Sequence, residues 1–136
     1  MSHSRWMAAA FLAMTAFSAV ATTPPDLQRD LAIAAKKDSA GFTGFSAQRG
    51  ARLFNDRHGG EWSCATCHTG DPLAQGRHAT THKLIAPLAP AANPERFTDP
   101  AKVGKWFKRN CNDVLNRTCT ALEQGDVLEY LLSLRK

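Results

Sequence analysis

Methionine is scarce in this sequence of 136 residues. It occurs at Met1, Met7 and Met14, and no methionine follows. A methionine sulfur is therefore excluded as a metal ligand in the rest of the chain. The excess of positive over negative charge is also small, because the sequence has 17 Lys and Arg and 12 Asp and Glu, a formal net charge of +5. So small an excess argues against a nucleic-acid-binding protein.

The N-terminus lacks an apolar segment long enough to cross a membrane comfortably. Its apolar segment, 7–20, is short and rich in alanine, whereas a spanning helix needs about 20 residues. Arg5 precedes this segment, and Ala19-Val20-Ala21 ends it with small residues at alternate positions. This arrangement is typical of a secretory signal peptide. We predict cleavage after Ala21, a periplasmic location, and one domain over 22–136 with a formal charge of +4 and no transmembrane segment.

The motif Cys64-Ala65-Thr66-Cys67-His68 carries the clearest chemical signal. Two thiols one helical turn apart can add to the two vinyl groups of one porphyrin, and the adjacent imidazole can bind the iron. A zinc site would need a second Cys or His pair nearby, and a thioredoxin-like dithiol would follow an apolar strand. The flanking residues fit neither site. The motif therefore predicts one haem c, bound covalently through Cys64 and Cys67, with His68 as an iron ligand.

Without a methionine, the sixth ligand of the iron has to be sought among other groups. An ordinary class I cytochrome c holds iron between His and Met, and that pair is excluded over 22–136. The remaining candidates are a lysine, an asparagine, water, no ligand, or one of His58, His78 and His82. For each of these three histidines, an exposed position in a loop is the simpler interpretation.

The segment 99–115 predicts a helix, with Asp99 as N-cap and Pro100 at the first helical position. Its apolar residues recur at helical spacing, and Asn110 interrupts this stripe. A buried amide without a partner costs about 1–3 kcal/mol. Asn110 is therefore either hydrogen-bonded in the core or a ligand of iron. The lysines on the opposite side form either a solvated face or a docking surface for an acidic redox partner.

The other two cysteines, Cys111 and Cys119, lie directly after Asn110 and eight positions further on. In an oxidising compartment they are expected to pair. A loop this short would contribute about 2–3 kcal/mol in the chain-entropy model. The bond would then either hold Asn110 in position as a ligand or act only as a structural link.

Taken together, these residues resemble the sphaeroides haem protein family, a group of oxygen-binding class I c-type cytochromes with an asparagine axial ligand. The resemblance covers nearly all of 22–136 and rests on these residues: 50–54, 64–68, 85–90, 96–99, Val103, 105–106, 109–112, Val114, Arg117 and Cys119.

The resemblance implies that Asn110 and His68 are the metal ligands and that Cys111 pairs with Cys119. It also implies that Asn110 leaves on reduction, so that ferrous haem can take up oxygen or another diatomic ligand. The implied electron donors are a dihaem cytochrome c and a membrane cytochrome b. A plain electron carrier with a permanent non-methionine ligand is the alternative. We find no clear acid or base for catalysis and leave open whether oxygen, peroxide or nitric oxide is reduced.

The expected fold is all-α, a small class I cytochrome c-like domain wrapped around one covalent haem. Four helices are predicted, over about 25–37, 46–55, 99–115 and 120–135, the last with a capping box of Thr120 and Glu123. Gly50 and Phe54 are expected to pack against the last helix. The long segment 69–94 is expected to line the haem pocket.

Several further side chains are predicted to contact the haem or its ligands. The Pro87 carbonyl is expected to accept a hydrogen bond from His68 and so orient the imidazole. Lys83 and Arg96 are candidates to neutralise the propionates. The aromatic candidates for the pocket walls are Trp62, Trp106 and Phe107.

Overall fold

The computed structural model describes residues 22–135, and the predicted signal peptide over 1–21 lies outside them. In this part of the chain the elements are, in order, α1 (Pro24–Asp38), α2 (Ala47–Asn55), α3 (Cys64–His68), β1 (Gly76–Arg77), β2 (Leu84–Ile85), α4 (Pro100–Leu115) and α5 (Ala121–Ser133). The mostly helical fold is confirmed, and all four predicted helices are present, with ends within two residues of the prediction. The additional helix, α3, is the cysteine motif itself.

Each helix begins at a polar side chain that caps its first turn. Thr23, Ser46, Ser63, Asp99 and Thr120 each accept a hydrogen bond from the backbone N–H three residues further on. The predicted capping box at Thr120 is present. Because each cap satisfies a backbone donor that would otherwise lack a partner, these short polar residues account for the accuracy of the predicted starts.

Helix α5 lies at the centre of the fold, where α1 and α2 both pack against it. The crossing of α2 over α5 is close at Gly50. A Cβ atom on Gly50 would lie 1.9 Å from the backbone oxygen of Asp126, so a larger residue would force the two backbones apart. The predicted packing of Gly50 against the last helix is confirmed.

The core cluster consists of Phe54, Val127 and Leu131, all less than a tenth exposed. Partly buried apolar side chains surround it from every side, and they come from α2, α3, the 69–98 segment, α4 and α5: Leu53, Cys64, Ala65, Leu88, Phe97, Phe107, Tyr130 and Leu134. The predicted packing of Phe54 against the last helix is confirmed. The same cluster therefore joins the cysteine motif to the rest of the fold.

An ion pair between a buried acid and an exposed arginine also fixes α2 against α5. Asp126 is 4% exposed, and its carboxylate accepts hydrogen bonds from Arg49 Nε at 2.6 Å and Nη2 at 2.8 Å. The backbone N–H of Ser46 donates to the same carboxylate at 2.7 Å. The sequence analysis missed this pair. One feature of the sequence could have indicated it: an acidic residue directly before Val127 and Leu128 in an apolar helix would need a partner if buried.

The long segment between α3 and α4 is ordered around a buried proline. The Pro72 carbonyl accepts hydrogen bonds from the backbone N–H groups of Leu88 and Ala89, both at 3.0 Å, and Ala89 is fully buried. Strands β1 and β2 pair in antiparallel fashion within it. Strands of two residues show no periodicity, which is why this hairpin was not predicted.

Helix α4 is held differently from the other long helices. It takes no part in the main helix packing of residues 22–135, which joins α5 to α1 and α2. At its C-terminal end, the Sγ atoms of Cys111 and Cys119 are 2.00 Å apart, and the Cα atoms are 5.6 Å apart. Cys119 lies just before α5, so this contact ties the end of α4 to the start of α5. Among the described helices, none has the length and apolar character needed to cross a membrane.

Candidate haem site

Helix α3 presents the three residues of the motif from one short, well-capped turn. Ser63 and Thr66 exchange hydrogen bonds as a capping box, with the Ser63 N–H donating to Thr66 Oγ1 at 2.9 Å. Ser63 is buried, so the start of the turn is anchored inside the protein. At the other end Thr69 adopts a φ of 62°, an unusual value for a β-branched residue. The chain therefore turns away immediately after His68.

The hairpin packs closely against this helix. A Cβ atom on Gly76 would lie 2.2 Å from the Cys67 carbonyl oxygen and 3.0 Å from the His68 Cα. The Ala79 N–H donates to Cys67 Sγ at 3.4 Å. Only glycine permits this approach, so Gly76 holds the hairpin against the motif. The sequence analysis missed Gly76, since its requirement arises from a contact between segments distant in the chain.

Burial keeps the imidazole of His68 neutral. Desolvation, with a smaller effect from the positive charge of Arg96, lowers the pKa of His68 to about 4. A neutral imidazole has a free lone pair and is the form that binds metals. The Phe54 ring centroid lies 6.4 Å from that of His68, which links the imidazole to the apolar core.

The thiol of Cys64 is also protected from ionisation. Burial raises its pKa to about 11, and the neighbouring Cys67 adds a smaller effect in the same direction. Cys64 and Cys67 are both half-buried and unpaired with other cysteines among the described residues. The two cysteine side chains and the neutral imidazole of His68 are therefore available to one ligand.

The Pro87 carbonyl has a different partner from the one predicted. It accepts hydrogen bonds from Arg96 Nε at 2.9 Å and from Asn93 Nδ2 at 3.3 Å, whereas no hydrogen bond joins it to His68 in the described residues. Arg96 also donates from Nη2 to the Ala86 carbonyl at 2.6 Å. The folded-back Arg96 side chain thus holds the Pro87 carbonyl in place, and the predicted role of Pro87 in orienting His68 stays a prediction. That Pro87 contacts the haem stays a prediction.

The two candidate propionate partners lie in different environments. Arg96 is half-buried and close enough to His68 for its charge to lower the histidine pKa. Two of its nitrogens are already bound to carbonyls, so the third, Nη1, is the nitrogen left for another acceptor. Lys83 is exposed beside β2. Contact of either residue with a propionate stays a prediction.

Helix α4 has the two-sided character predicted from its sequence. Val103, Phe107, Asn110 and Val114 are half-buried, whereas the lysines on the other side are exposed. Phe107 packs against the core cluster, and Asn110 lies one turn further along the same face. Asn110 is therefore directed to the same side of the helix as a side chain that reaches the core.

The two tryptophans considered for the pocket walls differ in exposure. Trp62 is half-buried, but Trp106 is 45% exposed. The guanidinium carbon of Arg109 lies 5.6 Å from the centroid of the Trp106 ring. Trp106 thus lies at the border between the half-buried face and the basic face of α4, and its contact with the haem stays a prediction.

The alternative histidines lie in loops. His58 is exposed, and its Nε2 is 2.9 Å from the Leu53 carbonyl oxygen. His78 Nδ1 accepts from two backbone N–H groups of its own turn, both at 3.2 Å. His82 is exposed at the same turn. Two of the three therefore have a ring nitrogen already engaged by local backbone.

The donor set and its surroundings fit a covalently attached haem. Cys64 and Cys67 would form the two thioether bonds, and His68 would bind the iron. The partly buried apolar side chains around the core cluster supply the low-polarity surroundings that control the chemistry of such a centre.

Comparison with known proteins agrees with this fit. A family model described as a domain of unknown function, DUF1924, matches residues 40–131. The cytochrome c-type protein SHP of Cereibacter sphaeroides is 49% identical over 89 residues, which cover 62% of this chain and 68% of that protein. The chain belongs to the sphaeroides haem protein family. It is therefore a c-type cytochrome, and its cofactor is haem c with iron.

Solved structures of related cytochromes share the fold. The structure of oxidised SHP, described as an oxygen-binding cytochrome c, has a TM-score of 0.75 at 40% identity and covers 85% of this chain and 100% of that one. The crystal structure of oxidised cytochrome c'' from Methylophilus methylotrophus has a TM-score of 0.74 at 34% identity, covering 83% and 95%. A solution structure of cytochrome c'', described as giving insights into haem-ligand detachment, matches equally well, with a TM-score of 0.74.

Proposed function

We propose that this protein is a periplasmic cytochrome with one haem, in which Asn110 is the sixth ligand of ferric iron and leaves on reduction. The ferrous protein then takes up oxygen or another small diatomic ligand. Electrons come from partner cytochromes, a dihaem cytochrome c and a membrane cytochrome b. Residues 1–21 act as the export signal, and 22–136 form the functional domain.

The observation that carries this proposal is the position of Asn110. It is the polar residue in the half-buried face of α4, one turn from Phe107, which reaches the core cluster. No methionine occurs between residues 22 and 136, so the usual sixth ligand is excluded. The exposed or locally bonded histidines are weaker candidates.

When bound, haem would supply a redox-active iron. His68 would hold that iron, and its neutral imidazole suits a permanent ligand. Asn110 offers an uncharged amide, which is a weak donor and binds the more acidic ferric ion in preference to the ferrous ion. Reduction therefore weakens the contact made by Asn110 and leaves that made by His68.

The attachment of α4 supports a ligand that can leave. Because α4 is outside the main helix packing and reaches the core cluster through Phe107, a small shift of α4 leaves the direct crossing of α2 over α5 in place. The Cys111–Cys119 disulfide limits such a shift, since it joins the residue next to Asn110 to the start of α5. We infer that the disulfide keeps Asn110 within reach of the iron after release.

The related proteins support the same function. SHP is described as an oxygen-binding cytochrome c, and the solution structure of cytochrome c'' is described in terms of haem-ligand detachment. The single Cys-x-x-Cys-His motif supports one haem per chain, attached through Cys64 and Cys67.

The test compares Asn110→Ala with Asn112→Ala, a matched variant at an exposed position of the same helix. Optical spectra are recorded for the ferric and ferrous proteins, and carbon monoxide is then added. We expect the wild type and Asn112→Ala to be low-spin when ferric, high-spin when ferrous, and to bind carbon monoxide. Asn110→Ala should keep its haem but be high-spin or water-ligated in the ferric state.

Two results would contradict the proposal. A low-spin ferrous wild type that fails to bind carbon monoxide would show a permanent sixth ligand and favour a plain electron carrier. A ferric spectrum unchanged by Asn110→Ala would exclude Asn110, and replacement of His58, His78 and His82 would then identify the ligand.

A further inference from the structure

The positive charge of this protein is concentrated on one helix. Residues 22–136 contain 16 basic and 12 acidic residues, and four of the basic ones lie within 102–109 of α4: Lys102, Lys105, Lys108 and Arg109. Outside these four, 12 basic and 12 acidic residues balance. The first three turns of α4 contain no acidic residue. The four basic residues there therefore account for the whole excess of positive charge in residues 22–136.

These four residues, which we call the basic face, share the outer side of α4. At 100° per residue they lie within an arc of about 120° that is opposite to Val103 and Asn110. All four are exposed. None of them forms an ion pair within residues 22–135, whereas Arg29, Arg49 and Arg117 each pair with an acid.

This arrangement opposes the stability of the helix itself. Like charges three or four positions apart repel by about 0.2–0.5 kcal/mol per pair. Lys102 also lies in the first turn, where the helix dipole favours acids. Packing does not explain the basic face either, because its side chains are exposed. An interaction with an acidic partner would offset the cost.

We propose that the basic face of α4 is the docking site for the acidic surface of the protein that donates electrons to this cytochrome. The inference rests on the proposed function, in which electrons arrive from a partner cytochrome. In the docked pair the donor loses one electron and this protein gains it. Complementary charge would speed the encounter and fix its orientation.

The position of the basic face suits that role. Asn110 lies on the opposite side of the same helix, which is about 10 Å across with its side chains. A partner docked on Lys105 and Arg109 would therefore approach the side of the protein where the iron site lies. At the border, Trp106 contacts Arg109 and adds an exposed aromatic surface to the face.

An acidic protein fits the basic face better than a membrane does. A helix that lies on a membrane inserts an apolar face between its basic residues. The apolar stripe of α4 instead points away from the basic face, and Phe107 is packed against the core cluster. Apart from Trp106 at its border, the basic face therefore offers only charge to a partner.

The test measures stopped-flow reduction of the ferric holoprotein by the anion Fe(EDTA)²⁻ and by the cation hexaammineruthenium(II). The variant is Lys102→Glu with Lys105→Glu. The control is Lys36→Glu with Lys37→Glu, which changes the net charge equally at exposed positions of α1. At low ionic strength we expect the α4 variant to be reduced by the anion about 10-fold more slowly and by the cation faster. The control should change less than twofold.

An acidic polypeptide provides the second arm. Poly-L-glutamate should slow the reduction by Fe(EDTA)²⁻ of the wild type and of the α1 control, because it covers the basic face, and should leave the α4 variant unaffected. Added salt should abolish the effect. Ferric absorption and circular dichroism check that each variant is folded and holds its haem.

Equal rate changes in the α1 and α4 variants would overturn the proposal, because net charge alone would then explain them. It would also fail if poly-L-glutamate did not protect the wild type while phosphatidylglycerol vesicles bound the wild type and not the α4 variant. That result would assign the basic face to a membrane surface. The ratio of rates between the two variants does not depend on which residue is the sixth ligand, so failure here is distinct from failure of Asn110 ligation.

Discussion

Helices α2 and α4 both contribute to the surroundings of the haem motif, but they are held in the fold by different means. Helix α2 meets α5 through a glycine crossing, an ion pair to the buried Asp126 and the apolar core around Phe54. Helix α4 relies on Phe107 and on the link between Cys111 and Cys119. The first arrangement suits the proposed permanent ligand His68, whereas the second suits the proposed exchangeable ligand Asn110.

This difference in packing matches the roles of the two proposed ligands, His68 and Asn110. The elements around His68 make close backbone contacts, since α2 meets α5 at Gly50 and the hairpin meets α3 at Gly76. Asn110 has no comparable support beyond its own helix and the adjacent disulfide. A rigid half and a tethered half of one site can therefore coexist in a domain of this size.

The largest expected difference in stability is between two glycine-to-alanine substitutions, one in α2 and one in α4. Gly50→Ala would place Cβ 1.9 Å from the Asp126 oxygen and should cost about 3 kcal/mol or more in the free energy of unfolding. Gly104→Ala in α4 meets nothing within 4 Å and should raise stability by up to about 1 kcal/mol. Urea denaturation of both variants measures the difference, and similar losses in the two would contradict the contrast between the helices.

Removing the disulfide should release α4 selectively. Replacing both Cys111 and Cys119 with Ser should lower the free energy of unfolding by about 2–3 kcal/mol. Hydrogen exchange should speed up most at the amides of 100–112 and much less at those of 127–131. If exchange accelerated equally in both segments, α4 and α5 would unfold as one unit, and the prediction would be wrong.

A smaller effect is expected where α4 meets α5. Arg117 donates two hydrogen bonds to the Glu123 carboxylate, at 2.8 and 2.7 Å, and this contact holds the pKa of Glu123 below its ordinary value. Because the folded-state pKa is lowered, the contribution is complete above the unfolded-state value of about 4.3 and is lost as the pH falls below it.

The size of this contribution should be under 1 kcal/mol, since Arg117 is half exposed. Thermal unfolding of the wild type and Glu123→Gln between pH 7 and pH 3 measures it. The difference in unfolding temperature between the two proteins should disappear as the pH falls through 4. A gap that stayed constant would show that charge on Glu123 is not its source.

Much of this fold could be predicted because its signals are local. Asp99 with Pro100, and Thr120 with Glu123, mark helix starts through contacts within one turn, and the structure confirms them. The pairing of Asp126 with Arg49 could not be predicted, since the two residues are 77 positions apart. The hydrogen bond from Arg96 to the Pro87 carbonyl was missed as well, because no pattern of residue types marks a side chain that folds back onto its own segment.

The sequence by itself determined the chemistry available to this protein: a motif for covalent haem, no methionine beyond residue 14, and one amide in an apolar stripe. These are properties of residue type and spacing, which do not depend on distant contacts. Only the tertiary structure decided which of the two proposed ligands lies on closely packed elements and which lies on a helix linked through Cys111 and Cys119. That outcome depends on where backbones cross, as Gly50 does over Asp126, and such crossings join segments far apart in the chain.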